Sequence, residues 1–256
     1  MSIQFPYKRT CRPFIDGTYS PTRYISDPDY SISPEHYIRA FLLIQHDFQN
    51  LLYYIEPCDT NLDTYSLRIY ELFFRICVEI ETNFRAILKE NGYEVKDDRL
   101  NISDYILINK SHRLSSYEVK IPYWNDNEKI IQPFKEFSRC RKTNEDKIPK
   151  PRWYEDFVGI KHDRLKHFNS ANFRNLVDAM AALVVVISAQ FCREDFSPGN
   201  TLLALEGPND GMESAIGGFF RVKFPNDWPK HERYGFDYES MKKGDWKILC
   251  YDYVKE

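Results

Sequence analysis

The chain contains none of the short motifs that mark the commonest phosphate, metal and nucleophile sites. It has no GxGxxG or GxxxxGK[ST] loop, no HExxH pair and no GxSxG turn. Its Asp-Gly dipeptides, Asp16-Gly17 and Asp210-Gly211, lack the surrounding ligands of a calcium loop. We therefore expect no metal and no cofactor.

Cysteine pairs, a signal peptide and a membrane-length apolar run are also missing. The six cysteines form no CxxC pair (Cys11, Cys58, Cys77, Cys140, Cys192 and Cys250), which argues against zinc and favours reduced thiols. The first ten residues lack a signal-peptide core, and the run from Ala179 to Ala189 is too short to span a bilayer. These absences predict a soluble, cytoplasmic protein with no membrane contact.

The overall charge excludes a globally basic nucleic-acid-binding protein. The 35 Lys and Arg nearly match the 38 Asp and Glu, so a nucleic-acid site would have to be a local patch. The 256 residues favour one large domain, or one domain with an elaboration, and aromatic residues make up 16% of them. Large flat side chains should therefore dominate the core.

Hydrophobic periodicity predicts a mainly α chain, α+β overall, with an antiparallel helical bundle and a small β-containing elaboration. Residues 1–33 form an extended arm, 34–196 the bundle with a strand and loop insertion at about 93–150, and 197–256 short strands and turns packed on the bundle. A first helix is expected to begin at Ser33-Pro34-Glu35, with Ser33 as its cap, and to end at Pro57. A second helix is expected from about Thr60–Asp63 to Asn91-Gly92.

Two further helices and several strands complete this prediction. A helix should follow Pro151, and another should span about Ala171 to Phe191, capped at Asn169-Ser170. The alternation at Tyr117–Tyr123 predicts a strand that Ile130-Ile131 could join. Ile216–Phe224 and Trp246–Tyr253 are the best C-terminal strands. The charged stretch 138–151 is a solvated loop or, as a sharper alternative, a loop facing phosphates.

The second helix carries a polar line through an otherwise apolar sequence. Arg75 and Glu79 lie four residues apart, and Asn83 continues the same face. Charges are rarely buried unless they are paired. The pair is either a structural ion pair or a polar line that faces the His162 cluster across a groove.

The densest cationic feature is the KHDRLKH segment. Lys161, His162, Arg164, Lys166 and His167 fall within seven residues, between two predicted helices. An imidazole can take a proton from a 2′-hydroxyl, and a guanidinium can hold a phosphate, so the group could cleave RNA without a metal. Alternatively, Lys161 and Arg164 cap the last helix carbonyls while His162 packs against Trp153 or Tyr154.

Two stretches resemble a known family. WYEDFVGIKHDR with FNSANFRNLVDAMAAL looks like the C-terminal helical region of bacterial HEPN-type proteins, and YSLRIYELFFRICVEIETNFRAIL is similar to the long helix before it. The resemblance covers only about 60–92 and 151–196. It implies a helical bundle, often a homodimer and often a metal-independent endoribonuclease. Such proteins serve as toxins with an antitoxin partner or as antiviral-defence effectors; others are inactive scaffolds or nucleotide-binding modules.

The chain departs from the family's catalytic Arg-x4-6-His motif. Arg164 and His167 are too close, and His162 precedes Arg164; the only formal match, Arg39 to His46, lies in the first long helix.

We therefore assign His162, Arg164 and Lys161 as the candidate catalytic residues, and a supporting set to orient them (Arg75, Glu79, His167 and Asn169). The predicted function is RNA targeting, with hydrolysis by a metal-independent endoribonuclease. The alternative is a non-catalytic helical module that binds RNA, a nucleotide or a partner protein.

Overall fold

The computed structural model describes residues 2–19, 22–94, 100–125, 128–139, 149–196, 211–237, 239, 243 and 246–254. The helices found there are α1 (Thr22–Ile25), α2 (Pro34–Leu51), α3 (Leu67–Glu90), α4 (Ile102–Tyr105), α5 (Ile108–His112), α6 (Arg152–His162), α7 (Arg164–His167) and α8 (Phe173–Phe191). The strands are β1 (Glu118–Ile121), β2 (Lys129–Ile131), β3 (Glu213–Ser214) and β4 (Arg221–Lys223). This content confirms the predicted α+β class.

The centre of the fold is the pair formed by α3 and α8. Helix α8 is apolar nearly all round, and almost all of its side chains are buried, as expected for a helix covered on several sides. Helices α2 and α6 both contact α3 and α8. At the α3–α6 contact, the ring of Phe157 lies 5.0 Å from that of Phe74 and 6.4 Å from that of Phe73.

Helix α8 is long and apolar enough to cross a membrane, but 89% of its apolar window is buried inside the protein. A helix at the centre of a folded domain has this combination of an apolar sequence and near-complete burial. The β-branched run Val184–Ile187 remains helical, as the length of the pattern predicted.

A small antiparallel sheet covers one side of α8. Its strand order is β2-β1-β4-β3. Val119 of β1 lies opposite both Ile131 of β2 and Val222 of β4. Val119, Ile121 and Val222 are buried, which confirms the strand predicted at Tyr117–Tyr123 and its pairing with Ile130-Ile131.

Three helix starts differ from the sequence-based prediction. Ser33 adopts a left-handed conformation with φ 47° and makes no side-chain cap hydrogen bond, although Pro34 does open α2. Helix α3 begins only at Leu67, because Leu62 and Thr64 accept backbone hydrogen bonds from Arg174 and Phe173 at the start of α8.

Helix α8 is capped by Asn172, not by Asn169-Ser170. The Asn172 side-chain oxygen accepts a hydrogen bond from the Asn175 backbone N–H at 3.0 Å. Asn169 and Ser170 belong to a short 3₁₀ turn, Phe168–Ser170, that precedes the cap. This turn moves the start of α8 to Phe173.

The C-terminal strands are shorter than predicted. Within Ile216–Phe224, only β4 is strand. The predicted strand Trp246–Tyr253 is wrong: that segment makes one isolated bridge, between Leu249 and Tyr7 of the arm, so it runs beside a single neighbour. Most of the charged stretch 138–151 and of the turn predicted at 208–211 lies outside the described residues.

The N-terminal arm enters the core instead of only lying over it. Arg9, Thr10, Cys11 and Arg12 are each at most 2% exposed. Cys11 donates its backbone N–H to Ala189 of α8, and its thiol is hydrogen-bonded to that of Cys192. Burial raises the pKa of the Cys11 thiol, so this cysteine is held in its neutral form.

Arg9 joins the arm to both central helices. Its Nε pairs with Glu90 of α3 at 2.7 Å, and its Nη1 donates to Gln190 of α8 at 2.9 Å. Gln190 in turn donates to Asn83 at 3.0 Å, and Asn83 donates to Glu79 at 2.9 Å. Glu79 and Asn83 of the polar line predicted on α3 are therefore joined by a hydrogen bond, and the line continues into the core through Gln190 to Arg9.

Replacing Arg9 should unfold the protein readily. Arg9→Met leaves Glu90 and Gln190 without their donor in a buried site, and we expect a loss of about 3–5 kcal/mol in the free energy of unfolding. Chemical denaturation measures this loss. The matched control is Arg68→Met, which removes a largely exposed pair with Glu71 and should cost about 0–1 kcal/mol. A loss for Arg9→Met no larger than that of the control would contradict the assignment.

Asp178 is a carboxyl group that the core accommodates poorly. Desolvation by burial raises its pKa from 3.8 to about 6. The nearby cations are engaged elsewhere, since Lys129 pairs with Asp59 and Arg174 pairs with Asp63. Among the residues that the structure describes, none donates a hydrogen bond to the Asp178 carboxylate. The ionised form therefore destabilises the folded state.

Asp178→Asn should stabilise the protein at neutral pH but not in acid. Because the folded-state pKa is raised, the wild type loses stability as the pH rises from about 4 to about 6. Discounting for partial exposure, we expect the variant to gain about 1–2 kcal/mol at pH 7 and nothing below about pH 4. Urea titrations across this range give the difference, with Asp29→Asn at an exposed site as control. A gain that is independent of pH would contradict the titration.

Candidate functional site

The KHDRLKH segment lies where α6 ends and α7 begins. The Asp163 side chain accepts a hydrogen bond from the Lys166 backbone N–H at 3.1 Å and so caps α7. This cap ends α6 at His162 and turns the chain. Lys161, His162, Arg164 and Lys166 are all exposed as a result.

The cations of this junction lie over aromatic rings of the core helices. Lys161 Nζ is 4.0 Å from a Glu81 carboxylate oxygen and 5.6 Å from the centre of the Phe157 ring. The Arg164 guanidinium carbon lies 5.9 Å from the centre of the Tyr70 ring. The stems of both side chains therefore cover apolar surface while their charges stay in water.

The two histidines of the segment lie at the same end of α6. The His167 ring packs over α6, 3.7 Å from where a Cβ on Gly159 would stand. Gly159 is three residues, or about one turn, before His162. A Cβ at Gly159 would make only an ordinary van der Waals contact with the His167 ring, which is half-buried there.

A row of aromatic rings continues from this junction. Phe168 lies 5.9 Å from Tyr70 and 6.0 Å from Tyr65, centre to centre. Tyr65 is 54% exposed and the neighbouring Leu165 is 85% exposed. We call this surface the basic–aromatic ridge; its members are Tyr65, Tyr70, Lys161, His162, Arg164, Lys166, His167 and Phe168.

The contacts differ from the alternative in which the segment only caps helix carbonyls and packs His162 against an aromatic ring. His162 is exposed and is not packed under Trp153 or Tyr154, whose rings lie 5.9 Å from Phe134 and 6.0 Å from Phe157, respectively. Lys161 contacts the Glu81 carboxylate, and Arg164 contacts the Tyr70 ring. Within the described part of the chain, neither side chain donates a hydrogen bond to a helix carbonyl.

Two of the supporting residues are committed elsewhere. Arg75 pairs with Asp47 and donates to the Leu43 carbonyl, both on α2. Glu79 accepts from Asn83, and burial raises the pKa of its carboxyl group. The expected i,i+4 pair between Arg75 and Glu79 is thus replaced by these contacts, and neither side chain bonds to the ridge. Asn169 is exposed in the turn after α7.

The ridge contains two tyrosines that the sequence-based site prediction missed. Tyr65 and Tyr70 are almost a hundred residues before His162 in the chain. They reach the junction because Thr64 and Leu62 bond to the start of α8, and because Tyr65 bridges Asn172. No local pattern in the sequence indicated this, because the approach of the two tyrosines to the junction depends on contacts between distant segments.

The ridge can bind a polyanion and move a proton. Its segment 161–167 has three cations against one carboxylate, counting both histidines as neutral. Exposed rings beside cations suit the stacking of unpaired bases. Across the residues that the structure describes, no three His, Cys, Asp or Glu side chains lie together as metal ligands. Arg39 and His46, the formal motif match, are both exposed on α2.

Comparisons with protein-family models, with curated proteins and with solved structures give no match to this chain.

Proposed function

We propose that this protein is a HEPN-like, RNA-targeting cytoplasmic protein that binds single-stranded RNA on the basic–aromatic ridge. The observation that carries the proposal is the row formed by Arg164, Tyr70, Phe168 and Tyr65, of which Arg164 and Tyr65 are exposed, with Lys161 and Lys166 beside it. Phosphates would meet the cations, and bases would stack on Tyr65.

Single strands fit this surface better than duplexes do. Stacking on exposed rings needs unpaired bases, and it is worth about 1–3 kcal/mol per base. The guanidinium of Arg164 can hold a phosphate through two N–H groups, whereas Lys161 and Lys166 act as point charges. The chain's net charge of −3 makes the rest of the surface unattractive to RNA.

Removing the ridge cations should weaken RNA binding and reduce its dependence on salt. The probe is a fluorescent single strand of about 20 nucleotides. We expect the triple variant Lys161→Gln/Arg164→Gln/Lys166→Gln to reduce the magnitude of the negative slope of log K against log salt by about 2. Tyr65→Ala should weaken binding about 5- to 150-fold at every salt concentration. Fluorescence anisotropy across a salt series measures both effects.

The matched control for this experiment is Arg39→Gln, which removes one exposed cation from α2, away from the ridge. It should leave the affinity within about twofold. Equal affinity of the triple variant and the wild type, or tighter binding of duplex than of single strand, would refute the ridge as the RNA-binding surface.

His162 supports a second, more specific candidate, metal-independent RNA cleavage. It is exposed beside Arg164, with the His167 ring packed one turn away. One imidazole can take the proton of a 2′-hydroxyl while the other donates a proton to the leaving 5′-oxygen. Arg164 and Lys161 would stabilise the charge on the phosphorus centre. Such an activity fits a toxin or antiviral-defence effector with a partner antitoxin, or a homodimer, as the family resemblance implies.

Cleavage should persist in EDTA and leave a 2′,3′-cyclic phosphate. We expect His162→Ala to lower the rate about 100-fold or more while changing the free energy of unfolding by less than about 0.5 kcal/mol, since the ring is exposed. Mass spectrometry of the products and chemical denaturation provide the two measurements. RNA that stays intact with and without metal, alongside normal ridge binding, would leave the non-catalytic RNA-binding module as the function.

A further inference from the structure

A second cleft, which shares no residue with the basic–aromatic ridge, lies between the N-terminal arm and α5. Its volume is about 660 Å³. Arg12 and Tyr7 come from the arm, Arg113 and Ser116 follow α5, and Glu232 comes from the C-terminal part of the chain. A cleft of this size suits a small organic molecule.

Arg12 is a buried charge without a carboxylate partner. It is 2% exposed. Its Nε and Nη2 donate to the Ser111 carbonyl at 3.2 and 3.0 Å, and its Nη1 donates to the Glu232 carbonyl at 3.1 Å. Throughout the described part of the chain, no carboxylate oxygen lies within 4.0 Å of this guanidinium, whereas the other buried arginine, Arg9, pairs with Glu90 at 2.7 Å.

Aromatic rings surround Arg12 but do not neutralise it. Trp228 lies 4.6 Å from the guanidinium carbon, Tyr7 5.2 Å and Tyr251 5.6 Å, measured to the ring centres. A guanidinium has five N–H groups, and three are used by the carbonyls. Burying a charge is costly unless an opposite charge or a full set of hydrogen bonds accompanies it. One N–H on each terminal nitrogen has no acceptor among the residues that the structure describes.

The two carboxylates of the cleft are already engaged by another cation. Arg113 Nη2 lies 3.2 and 3.3 Å from the two oxygens of Glu232, and its Nη1 lies 3.4 Å from Asp227. Asp227 also accepts from the Ser116 hydroxyl at 2.9 Å. The cleft is lined by Arg12, Lys110 and Arg113 against Asp227 and Glu232, a formal charge of +1 with His231 neutral.

We propose that this cleft binds a small molecule bearing a phosphate group, with one phosphate oxygen on the remaining N–H groups of Arg12. Lys110 lines the same cleft and adds positive charge, and the Ser115 hydroxyl supplies a further donor. Arginine with hydroxyl donors is the set that a tetrahedral oxyanion needs. The rings of Tyr7 and Tyr251 would contact the organic part of an ester.

The test uses the full-length protein with phenyl phosphate, inorganic phosphate and benzoate as probes, in calorimetric titrations and thermal unfolding. We expect saturable binding of phenyl phosphate and a higher Tm with it, and at least tenfold weaker binding of benzoate. Tighter binding of phenyl phosphate than of inorganic phosphate would identify an organic phosphate ester as the natural class. Equal binding would identify free phosphate, and both results support the site.

Ser115→Glu is the variant that keeps the test independent of folding. Ser115 lies half-buried in the cleft wall, and only its backbone N–H is hydrogen-bonded, to Asn109. A carboxylate there would compete for Arg12, so phenyl phosphate should bind at least tenfold more weakly, and Arg39→Gln should bind it as the wild type does. No saturable binding to the wild type, equal binding to Ser115→Glu, or equal binding of benzoate overturns the proposal. Neither result bears on the proposal that the ridge binds RNA, because the cleft and the ridge share no residue.

Discussion

The buried charge of Arg9 is the constraint on which the rest of the structure depends. A guanidinium with no exposed surface must be given an anion and hydrogen-bond acceptors, and these come from Glu90 of α3, Gln190 of α8 and the Ile32 carbonyl. The arm therefore has one position relative to the two central helices. A side-chain contact fixes the arm further, since Nε2 of His112 donates to the Arg9 carbonyl at 2.8 Å. Burial lowers the pKa of His112 to about 3.

Three arginines of the chain lie in three different environments. Arg9 is neutralised by a carboxylate inside the core. Arg12, three residues later, is equally buried but meets only carbonyls and rings. Arg164 stands in water over the edge of the core, against Tyr70. The cost of an unpaired buried charge marks Arg12 as a ligand-binding residue, whereas the low cost of an exposed charge makes Arg164 available to a polyanion.

Local signals predicted the long elements well and their ends poorly. The helices α2, α3, α6 and α8 and the pairing of β1 with β2 follow from hydrophobic period and turn residues. Their starts do not, because Ser33 takes a left-handed conformation and residues 62–64 bond to α8 instead of beginning α3. The segment Trp246–Tyr253 alternates like a strand, but it has a single bridge partner in Tyr7. Strand formation needs a neighbour, and the sequence of one segment does not contain it.

The sequence by itself determined the helices, the α+β class and the concentration of cations and imidazoles at 161–167, because these depend on residues that are close along the chain. Only the tertiary structure decided that Arg75 pairs with α2, that Tyr65 and Tyr70 stand beside Arg164, and that Arg12 is buried at a cleft. Each of these depends on which distant segments contact one another. Those contacts are set by the folding of the whole chain, because the folded state buries apolar surface and leaves few buried charges unpaired.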